Sequence, residues 1–405
     1  MSVKSLLLGD IVPNQNSKFN INIDTSLLLF NLEAPILSKN SSPIPKAGPN
    51  IFSRSLILPE VNFDTKIVAN LANNHIMDYG QEGLRNTEKE CEKNNVLTVG
   101  AGENLIESRS AQIIEIKNKK IGIIGCCEKQ FGTSTNWNAG VSVVGPWIYS
   151  MIEELKEETD IITISIHGAS EMSPWPSPHW QDLLRSFIDA GATIIHGHHS
   201  HIPQGFEEYK NGIIFYGLGN FVVDPKRWKN FSNTLWSITP EINLGKNQKY
   251  QIKTSILEKE ENLVIVREST PPEYDKHCAY LDICNNPLKD KKKLTAIWQE
   301  VSIRQYYLHY SRYLNFPESY YTQKSNQLNN RIKSVFTGFN EALNGKRKTS
   351  TQDELLLWYH LFACESHREA ITTALGVISG ELEDMRTKEI CEIVDKMMPW
   401  SSRMI

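Results

Sequence analysis

No run of about eighteen apolar residues occurs anywhere in the 405-residue chain, so no segment has the length to cross a bilayer as a helix. Cysteine is sparse and poorly spaced: seven thiols are scattered, Cys126 and Cys127 are adjacent, and no C-x-x-C pair occurs. That argues against a disulfide framework and a cysteine zinc site, and favours a reducing, cytoplasmic setting. Strong charge of either sign is also lacking, since 43 Lys and Arg against 47 Asp and Glu leave a net charge of −4. Nothing global therefore points to nucleic acid or to an anionic membrane surface. Attraction for a phosphate or carboxylate has to come from a local metal or a local basic cluster. Internal repeats and low-complexity tracts are missing as well. The stretch Met1 to Asp10 is too short in its apolar part for a signal peptide and reads as a first strand.

What the chain has is histidine concentrated in one place. Ala192 to His201 reads Ala-Thr-Ile-Ile-His-Gly-His-His-Ser-His, four histidines in ten residues behind a β-branched run. Imidazole is the commonest protein metal ligand, and short His-rich tracts read as metal sites. From residue 3 to about 225 short apolar segments alternate with amphipathic ones. Val3–Leu8, Leu27–Phe30, Ile67–Leu71, Ile121–Gly125, Ile161–Ile166 and Thr193–Ile195 read as buried strands. Gln81–Lys93 and His179–Ala190 read as helices, the second started at Ser177-Pro178 and closed at Gly191. Lys117 to Lys120 and Asn211-Gly212 read as hairpin turns. The pattern is α/β, with helices layered on a mixed sheet. Residues 38–50, rich in Ser, Pro and Asn, form a loop near the strand ends. The main domain is expected over 1–250, a charged connecting strand and loop segment over 251–292, and a helical accessory domain or lid over 293–405. Helices are expected there at Leu294–Tyr313, Tyr320–Asn344, Gln352–Gly376 and Ile378–Met398, broken at Gly345-Lys346-Arg347-Lys348.

The polar residues fall in a revealing place. Asp10, Glu33, Asn73-Asn74-His75, His167-Gly168 and Gly197–His201 each lie just beyond the C-terminal end of a predicted strand. In open α/β sheets the ligand crevice lies outside those ends. Two carboxylates, an Asn carbonyl and three or more imidazoles suit a pair of divalent ions. Each residue alone is weak evidence, because Asp and Asn after a strand commonly form turns. Their ordered recurrence carries the weight. His196 and His179 read as structural.

With these pieces in place the chain resembles the poly-γ-glutamate capsule biosynthesis (CapA-type) proteins, a branch of the calcineurin-like metallophosphoesterases. The resemblance is carried by Gly9-Asp10, Asn31-Leu32-Glu33, and Asn73-Asn74-His75-Ile76-Met77-Asp78-Tyr79-Gly80 with Gly83 and Thr87. It continues in Gly100-Ala101-Gly102, His167-Gly168 with Glu171, Gly191-Ala192, Gly197 to His201 with Gln204, and Leu218-Gly219-Asn220-Phe221. It implies a four-layer metallophosphoesterase-like sandwich of two mixed sheets flanked by helices, here with a C-terminal helical extension. It also implies one or two divalent ions per chain (Mn, Fe or Zn). Asp10, Glu33, Asn74, His167, His199 and His201 would be the ligands, with Glu33 bridging or binding the pair. His75 would protonate a leaving group and Asp78 would orient its ring. His198, Glu171, Asn220 and Ser200 would meet substrate.

Two departures stand out. The wider superfamily opens with Asp-x-His where this chain has Asp10-Ile11-Val12, so one imidazole is missing. The capsule branch usually shows His-Trp-Gly where this chain has His167-Gly168-Ala169. Three functions stay open: hydrolysis of a phosphoester in a small-molecule or polymeric anionic substrate, cleavage of a glutamyl or peptide amide, and a non-catalytic scaffold of a polymer-synthesis complex.

Overall fold

Strands buried on both faces should read as near-continuous apolar runs, as Leu27–Phe30 and Ile121–Ile124 do. In the computed structural model, which describes residues 3–13, 15–38, 41–244, 249–314 and 351–402, the chain divides into two compact units, Met1–Lys289 and Asp290–Ile405. The first unit is built on two mixed sheets. Strands β1 (Lys4–Ile11), β2 (Leu27–Leu32), β3 (Lys66–Asn70) and β4 (Val96–Val99) run parallel in that spatial order. Beside β1 lie Asn220–Val222, parallel, and Glu241–Asn243, antiparallel. In the second sheet β5 (Lys119–Cys127), β6 (Ile161–His167), β7 (Ile194–His198) and β8 (Gly212–Phe215) are parallel neighbours. Antiparallel edges, Gln112–Ile116 and Phe206–Tyr209, flank them.

Alternation sorts each strand between two cores. Leu7, Leu27, Leu29 and Val68 meet Ile121, Ile123, Ile194 and Phe215 between the sheets. Leu6, Leu8, Leu28, Phe30 and Ala69 point the other way, onto Leu84 and Cys91 of helix α1 (Gly80–Lys93). Helices α2 (Trp147–Glu158) and α3 (Pro178–Ala190) cover the far side of the second sheet. The result is the helix–sheet–sheet–helix sandwich expected from the sequence. Helix α3 starts where predicted, with the Ser177 hydroxyl accepting from Trp180 N–H at 3.0 Å, and ends on Gly191 at φ +129°.

The structure differs from the reading in details with local causes. The second hairpin loop is Lys210-Asn211, with positive φ at Lys210, and Gly212 already pairs with Tyr209. Residues 251–292 hold the antiparallel pair Thr254–Glu260 and Leu263–Glu268, which pairs with Trp236–Ile238 and Ser17–Asn20, and then a helix, Pro271–Asn285. That helix carries a capping signature the strand-like reading passed over. Thr270-Pro-Pro-Glu273 places Pro at the first helical positions, and the Glu273 carboxylate accepts from Thr270 N–H at 2.8 Å. In the second unit the expected helix Gln352–Gly376 is two, Thr351–Ala363 and Glu365–Ser379. The helix expected at Ile378–Met398 begins only at Lys388, after Gly380 stops its predecessor at φ +84° and Thr387 caps the next turn. The expected helix Tyr320–Asn344 and the basic break at 345–348 lie outside the described residues. None of the seven cysteines is bridged, and no helix among the described residues is long and apolar enough to cross a membrane.

Candidate metal centre

Backbone register brings distant residues together at one rim of the sandwich. Parallel pairing sets Asp10 opposite both Asn31 and Asn220, and His167 opposite both Cys127 and His198. Where β1 meets the Leu218–Phe221 turn the approach is too close for a side chain. A Cβ on Gly9 would sit 1.9 Å from the Gly219 carbonyl oxygen, which accepts the Asp10 N–H at 3.1 Å. Gly9→Ala is therefore expected to cost about 3 kcal/mol, the upper range for overpacking. Urea unfolding checks it, and a wild-type midpoint would show that the turn yields freely.

On a regular strand His198 and His199 would point to opposite faces. Strand β7 ends at His198, and the backbone then enters the left-handed region at His199 (φ +86°) and His201 (φ +57°). Such conformations cost non-glycine residues about 1–3 kcal/mol and gather at functional sites.

Asp10 is fully buried at the hub. Its Oδ1 accepts from Asn31 Nδ2 at 2.8 Å and lies 3.4 Å from His198 Nδ1, while Oδ2 accepts from His199 N–H at 3.3 Å. His167 is held at both ring nitrogens, with Asn31 Nδ2 3.1 Å from Nδ1 and Asn74 Oδ1 3.0 Å from Nε2. Glu33 Oε1 stands 3.8 Å from His167 Nε2 and 3.7 Å from His201 Nε2. Neither Glu33 oxygen has a hydrogen-bond partner among the described residues. Three overlapping groups, Glu33–His167–His199, Asp10–Glu33–His201 and Glu171–His199–His201, each offer ligand atoms within 4.8 Å of one another.

Electrostatics tells the same story. Burial, with the charges of Asp10 and Glu171 adding and His201 opposing, pushes Glu33 up to about 8. His167 is pushed well below its ordinary value by burial and by the imidazoles of His199, His198 and His201. For Asp10, burial is outweighed by the hydrogen bond and charge of His198 and by His201, which hold it below its ordinary value. A buried carboxyl group with no donor among the described residues is a costly arrangement in the absence of a cation. The donor set of carboxylates, imidazoles and an amide oxygen fits a divalent first-row metal.

A pH test follows. Folded Glu33 keeps its proton up to about 8, whereas 4.5 is its ordinary value. The folded state thus binds more protons over that range, and the metal-free protein loses this stability as pH rises through it. A cation removes the penalty in proportion to how much has accrued. The thermal shift on adding Mn²⁺ is expected to be larger near pH 8 than near pH 6. A shift that is level or falling would remove Glu33 from the ligands.

The remaining predicted residues divide into those facing this cluster and those behind it. His75 Nδ1 lies 2.8 Å from Asp78 Oδ2, which also accepts from Ile51 N–H at 2.7 Å. Asn73 fixes the turn: its Nδ2 donates to Asn31 Oδ1 and the Leu32 carbonyl, and its Oδ1 accepts from the His75 and Ile76 backbones. Glu171 is half exposed, with Oε1 3.7 Å from His199 Nε2. Asn220 stands behind His201. Its Oδ1 accepts from His201 Nδ1 at 3.0 Å while its Nδ2 donates to the Thr234 carbonyl, which leaves Nε2 of that ring for the cluster. Ser200 is buried and donates to the Ile202 carbonyl at 2.7 Å. His198 Nε2 lies 3.3 Å from both Ser165 Oγ and His196 Nδ1, and His196 Nε2 donates to the Leu8 carbonyl at 2.9 Å. His179 is exposed.

Two residues at the rim were not read from the sequence. Glu128 is buried directly after β5, and its Oε1 lies 3.5 Å from His199 Nε2. It obeys the strand-end rule that exposes the others, one residue beyond Cys127 at the end of β5. Lys46, from the 38–50 loop, is ion-paired to Asp78.

Comparison with known proteins bears on this arrangement. The family model described as bacterial capsule synthesis protein PGA_cap matches residues 21–225. Capsule biosynthesis protein CapA of Bacillus anthracis is 33% identical over 205 residues, covering 48% of this chain and 49% of that one. PGA biosynthesis protein CapA of Bacillus subtilis (strain 168) is 35% identical over 196 residues, covering 47% and 50%. A probable polyglutamine synthesis accessory protein of Mycobacterium tuberculosis is 29% identical over 171 residues, covering 39% and 45%. The chain spans about half the length of the curated relatives it matches. Among solved structures, a hypothetical protein from Thermus thermophilus matches with a TM-score of 0.34 at 9% identity, covering 62% of this chain and 99% of that one. A putative 5'-nucleotidase from Staphylococcus aureus matches with a TM-score of 0.32 at 16% identity, covering 55% and 42%.

Proposed function

We propose, for a chain that belongs to the bacterial capsule synthesis protein family PGA_cap, a metal-dependent hydrolase acting on a phosphoester of an anionic small-molecule or polymeric substrate. The observation that carries this reading is the pair of buried Glu33 oxygens, without a hydrogen-bond partner among the described residues, amid the imidazoles of His167, His199 and His201. Asp10, Glu33, Asn74, His167, His199 and His201 would hold one or two ions (Mn, Fe or Zn). A divalent cation bound there supplies an acidified water and stabilises charge developing on the substrate oxygen. The chain's own residues do the rest. His75, its Nδ1 engaged by Asp78, presents Nε2 and gives a proton to the departing oxygen. Glu171, open to solvent beside His199, meets the substrate, and His198, Asn220 and Ser200 support the ligand loop from behind. The helices beyond Asp290 are assigned to an accessory domain.

A second reading is favoured by the names of the relatives, one of them a probable polyglutamine synthesis accessory protein. It is cleavage of a glutamyl or peptide amide with the same ions and the same water. Elemental analysis of protein purified without chelator or metal-affinity resin, paired with hydrolysis of an aryl phosphodiester and monoester under added manganese, separates the cases. Bound metal with manganese-dependent turnover supports the phosphoesterase. Metal without turnover moves the assignment to amides. No metal after soaking in manganese or zinc would leave a scaffold.

A further inference from the structure

Lys46 belongs to a Ser-, Pro- and Asn-rich loop, yet its side chain is only 3% exposed. An ammonium is buried without loss only when its protons find acceptors. Two acceptors meet it, the Asn74 carbonyl at 3.0 Å and Asp78 Oδ1 in an ion pair, and His75 Nδ1, itself turned to Asp78 Oδ2, lies 3.1 Å away. The same loop is tied to Asp78 through the backbone. Ile44 N–H and Asn50 Nδ2 donate to the Asp78 carbonyl at 2.9 and 3.1 Å, and Ile51 N–H donates to the carboxylate. His75 Nδ1 is thereby enclosed between Asp78 Oδ2 and Lys46 Nζ, which leaves Nε2 as the ring nitrogen that can serve the site.

We propose that Lys46 is a positioning residue, which fixes the His75 ring and the Asn74–His75 turn by bridging the Asn74 carbonyl and the Asp78 carboxylate on which His75 Nδ1 rests. The proposal rests on the reading of His75 as proton donor. It separates Lys46 from a mere surface charge, because the ammonium touches the backbone of one ligand candidate and the ring of the catalytic candidate at once.

The test is Lys46→Met in the full chain. With an aryl phosphodiester under manganese, kcat is expected to fall roughly tenfold to a hundredfold, the scale of small misplacements of reacting groups. KM and metal content should stay near wild type, and Lys46→Arg should restore part of kcat. Independently of activity, ¹⁵N-histidine NMR of the metal-free protein should show the two His75 ring-nitrogen shifts converging in Lys46→Met as the ring loses its fixed tautomer. Unchanged His75 shifts, or wild-type kcat in folded Lys46→Met, would overturn the proposal. Should that variant fail to fold, Lys46→Gln, which keeps a donor for the Asn74 carbonyl, carries the same readouts. A wild-type protein with neither metal nor turnover sinks the hydrolase reading, while the ring-nitrogen shifts still decide the role of Lys46.

Discussion

Asp10→Ala is expected to leave the chain without bound metal and to lower turnover on the order of a thousandfold or more. Metal-ion catalysis is worth several kcal/mol of transition-state stabilisation, and each 1.36 kcal/mol is tenfold in rate. Asp10 is where the two sheets exchange contacts: it accepts from Asn31 on β2 and from the His199 backbone after β7. Alanine also leaves those buried donors without an acceptor, at about 1–3 kcal/mol each. Stability and metal content therefore have to be measured together. Asp10→Asn keeps the volume and most of the hydrogen bonding, so a folded Asp10→Asn protein that has lost its metal isolates the ligand role. Metal content equal to wild type in both variants would remove Asp10 from the ligands.

His75→Asn separates chemistry from assembly. The His75 backbone N–H is held by Asn73 Oδ1 at 3.1 Å whatever the side chain, so the turn that carries Asn74 should survive. Metal is expected to remain bound while turnover slows by roughly a hundredfold or more, the usual scale for a general acid. The decisive comparison uses substrates with different leaving groups. An ester whose alcohol departs readily without a proton should be hydrolysed by His75→Asn almost as fast as by wild type. An equal loss on good and poor leaving groups would deny His75 the role of acid.

Much of this site was legible because each piece lies at the end of a strand that could be recognised without its neighbours. Leu27–Phe30, Ile161–Ile166 and Thr193–Ile195 are dominated by aliphatic and aromatic residues, so their polar successors Glu33, His167 and His199 stand out against them. Glu128 follows the same rule behind Cys127 and was readable in principle. Lys46 was not. Its burial depends on a loop of irregular structure folding onto a turn 28 to 32 residues later, and nothing local records that. Asn220 shows a subtler limit: its place after a turn was visible, but only the register of Asn220–Val222 against β1 sets it behind His201. The Thr270–Glu273 cap was overlooked because the strands before it set the expectation for the stretch that followed.

The position of β1 has a consequence for the order in which the protein assembles. Its neighbours are β2 on one side and, on the other, Asn220–Val222 and Glu241–Asn243. The contact between Asp10 and the His199 backbone closes a span of 189 residues. Closures of that length are made late and slowly, because the entropy of joining the ends is lost before the contact rewards it. A chain emerging from the ribosome carries β1 with one edge unpaired until residues 220 to 243 arrive, an interval in which a bare strand edge invites aggregation. The two ligand groups that draw on Asp10 or Glu33 form only with that closure, so the appearance of full metal affinity during synthesis or refolding would time a late step of folding rather than the first.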